Sequence, residues 1–316
     1  MEPKNISFSR CTENASLLPE SMKTIFVTGS ESFVGRELIA QCLRDGICVV
    51  GADLVPQKSQ DYDFHSLDVG LPDVSAVIPE EVDAIIHLAA LSRDTDCRGR
   101  AYECFRVNVM GTLNMMNAAA EKRAKQFVFA SSEWVYDQFE GDEEKDEDAI
   151  INIANHTSEY ALSKLVSEAN LRQRFQQGFC PVTIFRFAII YGSRKQNWSA
   201  VESLASAVNN QPEITVGSRK TGRRFVHVSD IARGIILCLG LPDFHIINLS
   251  ADRLITLGEI IETAERVFEK KIKVIESNAS VISVRNPSNG RAKKLLGWEP
   301  KKTLEEGLKD LLPFIS

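Results

Sequence analysis

The sequence predicts an α/β protein built on a doubly wound parallel sheet, followed by a smaller α/β lobe. Three observations carry that expectation. Short apolar runs alternate with long amphipathic segments, the first run ends in a turn bearing two glycines, and the alternation becomes irregular beyond Tyr191. Strands separated by helical crossovers pair in parallel and are covered on both faces, which is why they read as continuous apolar runs.

The elements follow in chain order. An apolar run begins at Thr24, an amphipathic stretch covers 34–43, and a second apolar run covers 47–53, which together make one strand-helix-strand unit. Further buried strands are expected at 84–88, 126–131, 182–187 and 245–249, with helices at 101–122 and 158–174 between them. The acidic stretch 140–148 reads as a solvated surface loop rather than a metal site. Amphipathic helices at 256–268 and 303–312 belong to the second lobe. Residues 1–21 are polar and aperiodic, and read as a disordered tail. The sheet domain is then expected to take 22–187 plus 226–250, and the second lobe 188–225 plus 251–316.

Composition removes several classes of function. With 316 residues, 44% hydrophobic and 25% charged, the chain has enough apolar material for a full core without staples. A net charge of -6 with no basic run argues against a nucleic-acid partner. No stretch approaches the roughly 18 apolar residues of a membrane span, and no signal-peptide core is visible. Seven cysteines lack paired spacing, and their odd number forms no closed disulfide set. The expectation is a cytoplasmic protein with no metal site and no membrane partner.

The first motif is Thr28-Gly29-Ser30-Glu31-Ser32-Phe33-Val34-Gly35, between the first strand and the first helix. A turn of this Rossmann type needs glycine where the chain bends and where helix meets strand, so that helix N-terminal amides face a pyrophosphate. Gly29 and Gly35 meet that need; the middle position is Ser32, whose side chain crowds a ligand unless its hydroxyl finds a hydrogen bond. Asp53 ends the next run, where a carboxylate accepts from an adenosine ribose diol and repels a 2′-phosphate, favouring NAD. An aspartate there also serves as a turn cap. Asp68 has the same two readings, adenine contact or turn.

A second motif, Tyr160-Ala161-Leu162-Ser163-Lys164, puts a phenol and an ammonium on one face of a helix. A nearby ammonium lowers a phenol's pKa and makes it a usable acid or base; an amphipathic helix with a snorkelling lysine has the same pattern. The third, Ala130-Ser131-Ser132-Glu133-Trp134-Val135-Tyr136, ends a buried strand at the sheet edge where ligands gather. A serine there holds a substrate oxygen or simply makes a turn.

Taken in order, these residues resemble the extended short-chain dehydrogenases that modify nucleotide sugars. The resemblance also takes in His87-Leu88-Ala89-Ala90, Asn108-Val109-Met110-Gly111-Thr112, Arg186 to Gly192, Arg223 to Asp230 and Leu296-Gly297-Trp298-Glu299-Pro300. It implies a cofactor site of Gly29, Ser32, Phe33, Val34, Gly35, Asp53, Asp68, Leu88, Ala89, Ala90, Asn108, Tyr160 and Lys164. Tyr160 would be the acid/base, Lys164 its partner on the nicotinamide ribose, and Ser132 the holder of the reacting oxygen. Ser132, Glu133, Arg223 and Arg285 would meet the substrate, the arginines through its diphosphate.

Two departures narrow the reaction. Dehydratases of the family carry Asp-Glu before Val-Tyr, whereas Glu133-Trp134 puts an indole, which accepts no proton, at the base position. Ile189 replaces an asparagine of many epimerases, and Asn197 and Trp198 follow in a loop near the expected sugar pocket. The resemblance therefore implies an NAD-dependent epimerase of a nucleotide-diphosphate sugar, oxidising a hydroxyl transiently, with C4 the usual carbon. The alternatives are a ketoreductase or dehydrogenase using the same site, or a regulator that binds NAD without catalysis. It also implies a homodimer through helices 101–122 and 158–174.

Overall fold

A computed structural model describes residues 24–57, 61–194 and 199–315. The expected tail 1–21 and the pair Asn197 and Trp198 lie outside the described residues.

In β1 (Thr24–Thr28), Ile25 and Val27 enter one hydrophobic core and Phe26 enters another. This is period-two alternation with both faces buried, and it explains why the strand reads as an unbroken apolar run. Helix α1 (Phe33–Arg44) puts Leu38, Ile39 and Cys42 on the first core. Next come β2 (Cys48–Asp53), β3 (Asp63–Ser66) and β4 (Ala84–His87). Short α2 (Asp94–Cys97) and α3 (Ala101–Phe105) lead through a π-helical turn, Arg106–Met110, into α4 (Gly111–Glu121). Met115, Met116, Ala118 and Ala119 of α4 seal the second core. Strand β5 (Phe127–Ser132), α5 (Glu159–Gln176) and β6 (Val182–Phe187) follow.

Beyond β6 come β7 (Ile190–Tyr191), α6 (Ala200–Asn210), β8 (Glu213–Val216), β9 (Gly222–Arg223), β10 (Val226–His227), α7 (Val228–Leu237) and β11 (Phe244–Leu249). The chain closes with β12 (Ile255–Thr256), α8 (Leu257–Phe268), β13 (Lys273–Glu276), β14 (Val284–Arg285), α9 (Gly290–Leu296) and α10 (Leu304–Ile315). The last helix runs three residues past its expected end because Ile315 is buried in the third core.

Seven strands form one parallel sheet in the order β11-β6-β5-β4-β1-β2-β3. The chain leaves β1 outward to β3, then returns to β4 on its other side, so the switch point lies between β1 and β4. Ligands of such sheets bind in the crevice outside the C-terminal strand ends at that point. Helices α1 and α7 cover one face; α4 and α5 cover the other. A third core collects α6, α8 and α10 around Tyr191, Phe225 and Leu308. Trp298 returns from the end of the chain to the first core, where it is fully buried and its indole donates to the Asp230 carbonyl at 2.8 Å.

The acidic stretch 140–148 is a largely exposed surface loop, as expected, and it is pinned to the body of the protein at three points. Glu147 is buried and accepts from the Asn248 amide at 2.7 Å, Glu144 pairs with Arg224, and the Lys145 amide donates to the Asn286 carbonyl at 3.1 Å. Of its carboxylates only Glu147 is drawn inward, because a later strand supplies a free amide to meet it. Among the described residues, no helix is long and apolar enough to cross a membrane.

Candidate active site

The dinucleotide corner is built mainly from backbone. Gly29 has φ +70°, and a Cβ there would stand 2.8 Å from the Ala89 nitrogen and 2.9 Å from the Leu88 carbonyl carbon. A Cβ on Gly35 would lie 2.2 Å from the Gly29 carbonyl oxygen. Both positions therefore exclude any side chain, the first also by its left-handed backbone. Ser32 caps α1, its Oγ accepting from the Gly35 amide at 3.0 Å, so the helix end uses the hydroxyl that replaces the usual glycine. Phe33 lies under the Arg194 guanidinium, 4.3 Å from its ring centre, and Val34 packs on the first core.

Asp53 does cap its turn. Its carboxylate accepts from the Val55 amide and from the Glu31 amide, both at 2.9 Å, and so ties the glycine turn to the strand end. Asp68 accepts from the Gly70 amide at 2.8 Å and pairs with Arg106 at 3.1 Å, so both its oxygens are engaged within the chain. The loop of Leu88, Ala89 and Ala90 runs from the Gly29 contact to Asn108, whose side chain clamps Leu91 at both amide and carbonyl (2.8 and 3.1 Å). Asn108 also donates to Ser163 Oγ at 2.9 Å, joining that loop to α5. It sits in the π-helical turn, a distortion that often marks functional sites.

The structure brings Ser132, Tyr160 and Lys164 together. Ser158 caps α5, which puts Tyr160 and Lys164 one turn apart facing β5. The Ser132 hydroxyl faces the Tyr160 phenol closely enough to pull its proton affinity down. Lys164 Nζ donates to the Ala130 carbonyl at 2.7 Å and lies 5.9 Å from the Tyr160 ring centre. Below them Ser131 donates to Glu168 at 2.5 Å, and Arg186 grips the same carboxylate at 2.7 and 3.1 Å, which locks α5 against β5 and β6. Burial dominates the proton affinities: the Tyr160 phenol is pushed up to about 12, against the pull of Ser132, and the Lys164 ammonium falls to about 8. The expected lowering of the phenol by the lysine is not what governs it in the folded chain: desolvation raises it, and the opposing pull comes from Ser132.

Glu133, Arg223 and Arg285 meet at the outer wall. β14 and β9 pair in parallel with Arg285 opposite Arg223, so two like charges stand side by side. Such a pair is unfavourable unless an anion answers it. Each arginine is held in place: Arg223 donates to the Ser283 carbonyl and Oγ (2.7 and 2.9 Å), and Arg285 donates to the carbonyls of Glu133 and Tyr136 while lying over the Trp134 ring. The Glu133 carboxylate is buried with neither oxygen hydrogen-bonded among the described residues, and burial pushes it up to about 7 although both arginines pull it down.

Residues 25–250 match the family described as NAD dependent epimerase/dehydratase. The chain belongs to this family. It is 26% identical over 304 residues to a UDP-glucuronate 4-epimerase of Thermodesulfobacterium geofontis, covering 90% of this chain and 93% of that one. It is 28% identical over 295 residues to UDP-glucuronic acid decarboxylase 3 of Arabidopsis thaliana, covering 90% and 86%. A UDP-glucuronic acid 4-epimerase from Bacillus cereus, solved with UDP-glucuronic acid and NAD, superposes with a TM-score of 0.80 at 22% identity, covering 92% and 98%.

As an NAD-dependent family member, the chain offers a dinucleotide three fitting features: two turn glycines that leave no room for a Cβ, a carboxylate at the end of β2, and a buried lysine beside the phenol. Four neighbours of the site were not singled out as site residues from sequence. Tyr62 donates to Glu31 at 2.6 Å over Gly51, and Cys97 and Cys104 pack on Tyr160 with Leu91. Tyr62, Cys97 and Cys104 belong to no motif, and Glu31, inside the glycine turn, occupies a position to which the motif assigns no role. Placement alone reveals them.

Proposed function

We propose that the protein is an NAD-dependent epimerase of a nucleotide-diphosphate sugar, inverting one hydroxyl-bearing carbon, C4. The observation that carries this reading is the convergence of Ser132, Tyr160 and Lys164 at the sheet edge beside two arginines in register. Bound NAD supplies a group that takes up and gives back a hydride. Ser132 holds the reacting oxygen, and Tyr160 removes the hydroxyl proton and returns it to the oxygen when the opposite configuration forms. Lys164 supplies positive charge that favours the phenolate while Tyr160 is deprotonated. Arg223 and Arg285 grip the diphosphate, with the second lobe, 188–225 plus 251–316, closing over the nucleotide.

Gly29, Ser32, Phe33, Val34, Gly35, Asp53, Leu88, Ala89, Ala90 and Asn108 line the cofactor's side in this reading, and Asp68 reaches the adenine through its backbone turn. Trp134 at the dehydratase base position supports epimerisation over water elimination. We place the enzyme in the cytoplasm as a homodimer joined through α3 to α5, which expose Tyr102, Met110 and Val166. The test is direct: purified protein given a UDP-sugar should interconvert two epimers with no added cofactor. Stoichiometric consumption of NADH would establish a reductase instead, and release of carbon dioxide from UDP-glucuronic acid a decarboxylase.

A further inference from the structure

We infer that Glu31 is a second carboxylate on the adenosine ribose, setting with Asp53 the exclusion of a 2′-phosphate from this cofactor site. The inference rests on the NAD-dependent reading and deepens it. Glu31 lies within the glycine turn, only 6% exposed, and its amide donates to Asp53 Oδ2 at 2.9 Å. The two acidic residues therefore stand together where β2 ends, the place a ribose diol occupies in such sheets.

The Glu31 side chain is fixed and incompletely used. Tyr62, packed over Gly51, donates to Oε1 at 2.6 Å, whereas Oε2 is buried and has no hydrogen-bond partner among the described residues. A buried acceptor with no donor is costly and is rarely left so. A ribose hydroxyl is a donor of the right kind at this corner. Among the described residues neither Glu31 nor Asp53 has an ion pair: Arg36, a guanidinium of the same turn, donates to the Glu31 carbonyl at 3.0 Å rather than to its carboxylate. A 2′-phosphate would enter between two uncompensated carboxylates in a partly buried corner, where screening is weak.

Displacement of bound NAD by NADP tests this without relying on turnover. Glu31→Gln keeps an acceptor for Tyr62, removes the charge and puts an amide donor on the ribose side. The ratio of NADP to NAD dissociation constants should fall at least tenfold in this variant. Tyr62→Phe, which leaves the carboxylate charged, should keep the ratio within about twofold, and so should Glu31→Asp. If the glutamine variant does not fold, Glu31→Ser reads the same ratio with a small side chain. An unchanged ratio in the uncharged variant overturns the proposal, as does an equal shift in Tyr62→Phe or Glu31→Asp, which would assign the effect to packing. Wild-type protein holding neither dinucleotide would take down the cofactor reading itself, and this proposal with it.

Discussion

At one end of the sheet's C-terminal edge the chain makes a corner of backbone at contact distance, from residues 28–53 and the Leu88–Ala89 backbone; at the other, side chains from four separated segments gather. The dinucleotide corner works by leaving atoms out, since Gly29 and Gly35 have no room for a Cβ. The reacting corner works by burying charge, with Lys164, Glu133 and two arginines held close. Its proton affinities are consequently far from ordinary, whereas the first corner admits its ligand by shape and uses charge, at Glu31 and Asp53, only to choose between dinucleotides. Adding an atom should injure the first, and removing a charge or a hydroxyl the second.

The largest effect that would sharpen this contrast is expected from Tyr160→Phe, which removes only the phenol oxygen. Turnover should fall about 10² to 10⁴-fold, while bound NAD and the thermal midpoint stay near wild type. Equal loss of NAD would break the contrast by making the two corners one unit. Next is Gly35→Ala, whose added methyl meets the rigid Gly29 carbonyl 2.2 Å away. Relief requires the helix to shift, costing about 1–3 kcal/mol, and titration of NAD should show loss of affinity well above tenfold.

Glu133→Gln probes the buried charge through pH. Its folded pKa, about 7, lies above the 4.5 of the free side chain. The corresponding stabilisation is complete below pH 4.5 and is lost as pH rises through 7, by up to roughly 3 kcal/mol. The glutamine variant should therefore melt on the order of 5 °C higher than wild type at pH 8, and close to it at pH 5; melts showing the same difference at both would remove the charge argument. The smallest effect is expected from Arg285→Lys, which keeps the charge but loses the planar contact with Trp134 and the paired carbonyl bonds. KM for the nucleotide sugar should rise about tenfold with turnover little changed.

Much of this was legible in the chain. The buried strands announced themselves because both faces are covered, so Ile25, Phe26 and Val27 are all apolar. The glycine turn and the Tyr160–Lys164 spacing were visible because a tight turn and a helical face are local in sequence. The weak amphipathic signal of short, two-residue strands such as β9 and β14 left the second lobe vague, and with it the register of Arg223 against Arg285. The acidic stretch 140–148 was legible as a surface loop, but the burial of Glu147 and the loop's anchors were not, because its partners, Arg224, Asn248, Asn286 and Arg291, lie 80 to more than 140 residues later.

By itself, then, the sequence determined the sheet, its glycine corner and the Tyr160–Lys164 spacing on one helical face, all set by short-range periodicity and local backbone freedom. Tertiary structure alone decided that Lys164 would spend a donor on Ala130, that Glu133 would be buried without a hydrogen bond among the described residues, and that Glu31 and Asp53 would stand together. Proton affinity and charge pairing depend on what surrounds a group in three dimensions, and no window of sequence contains that surrounding.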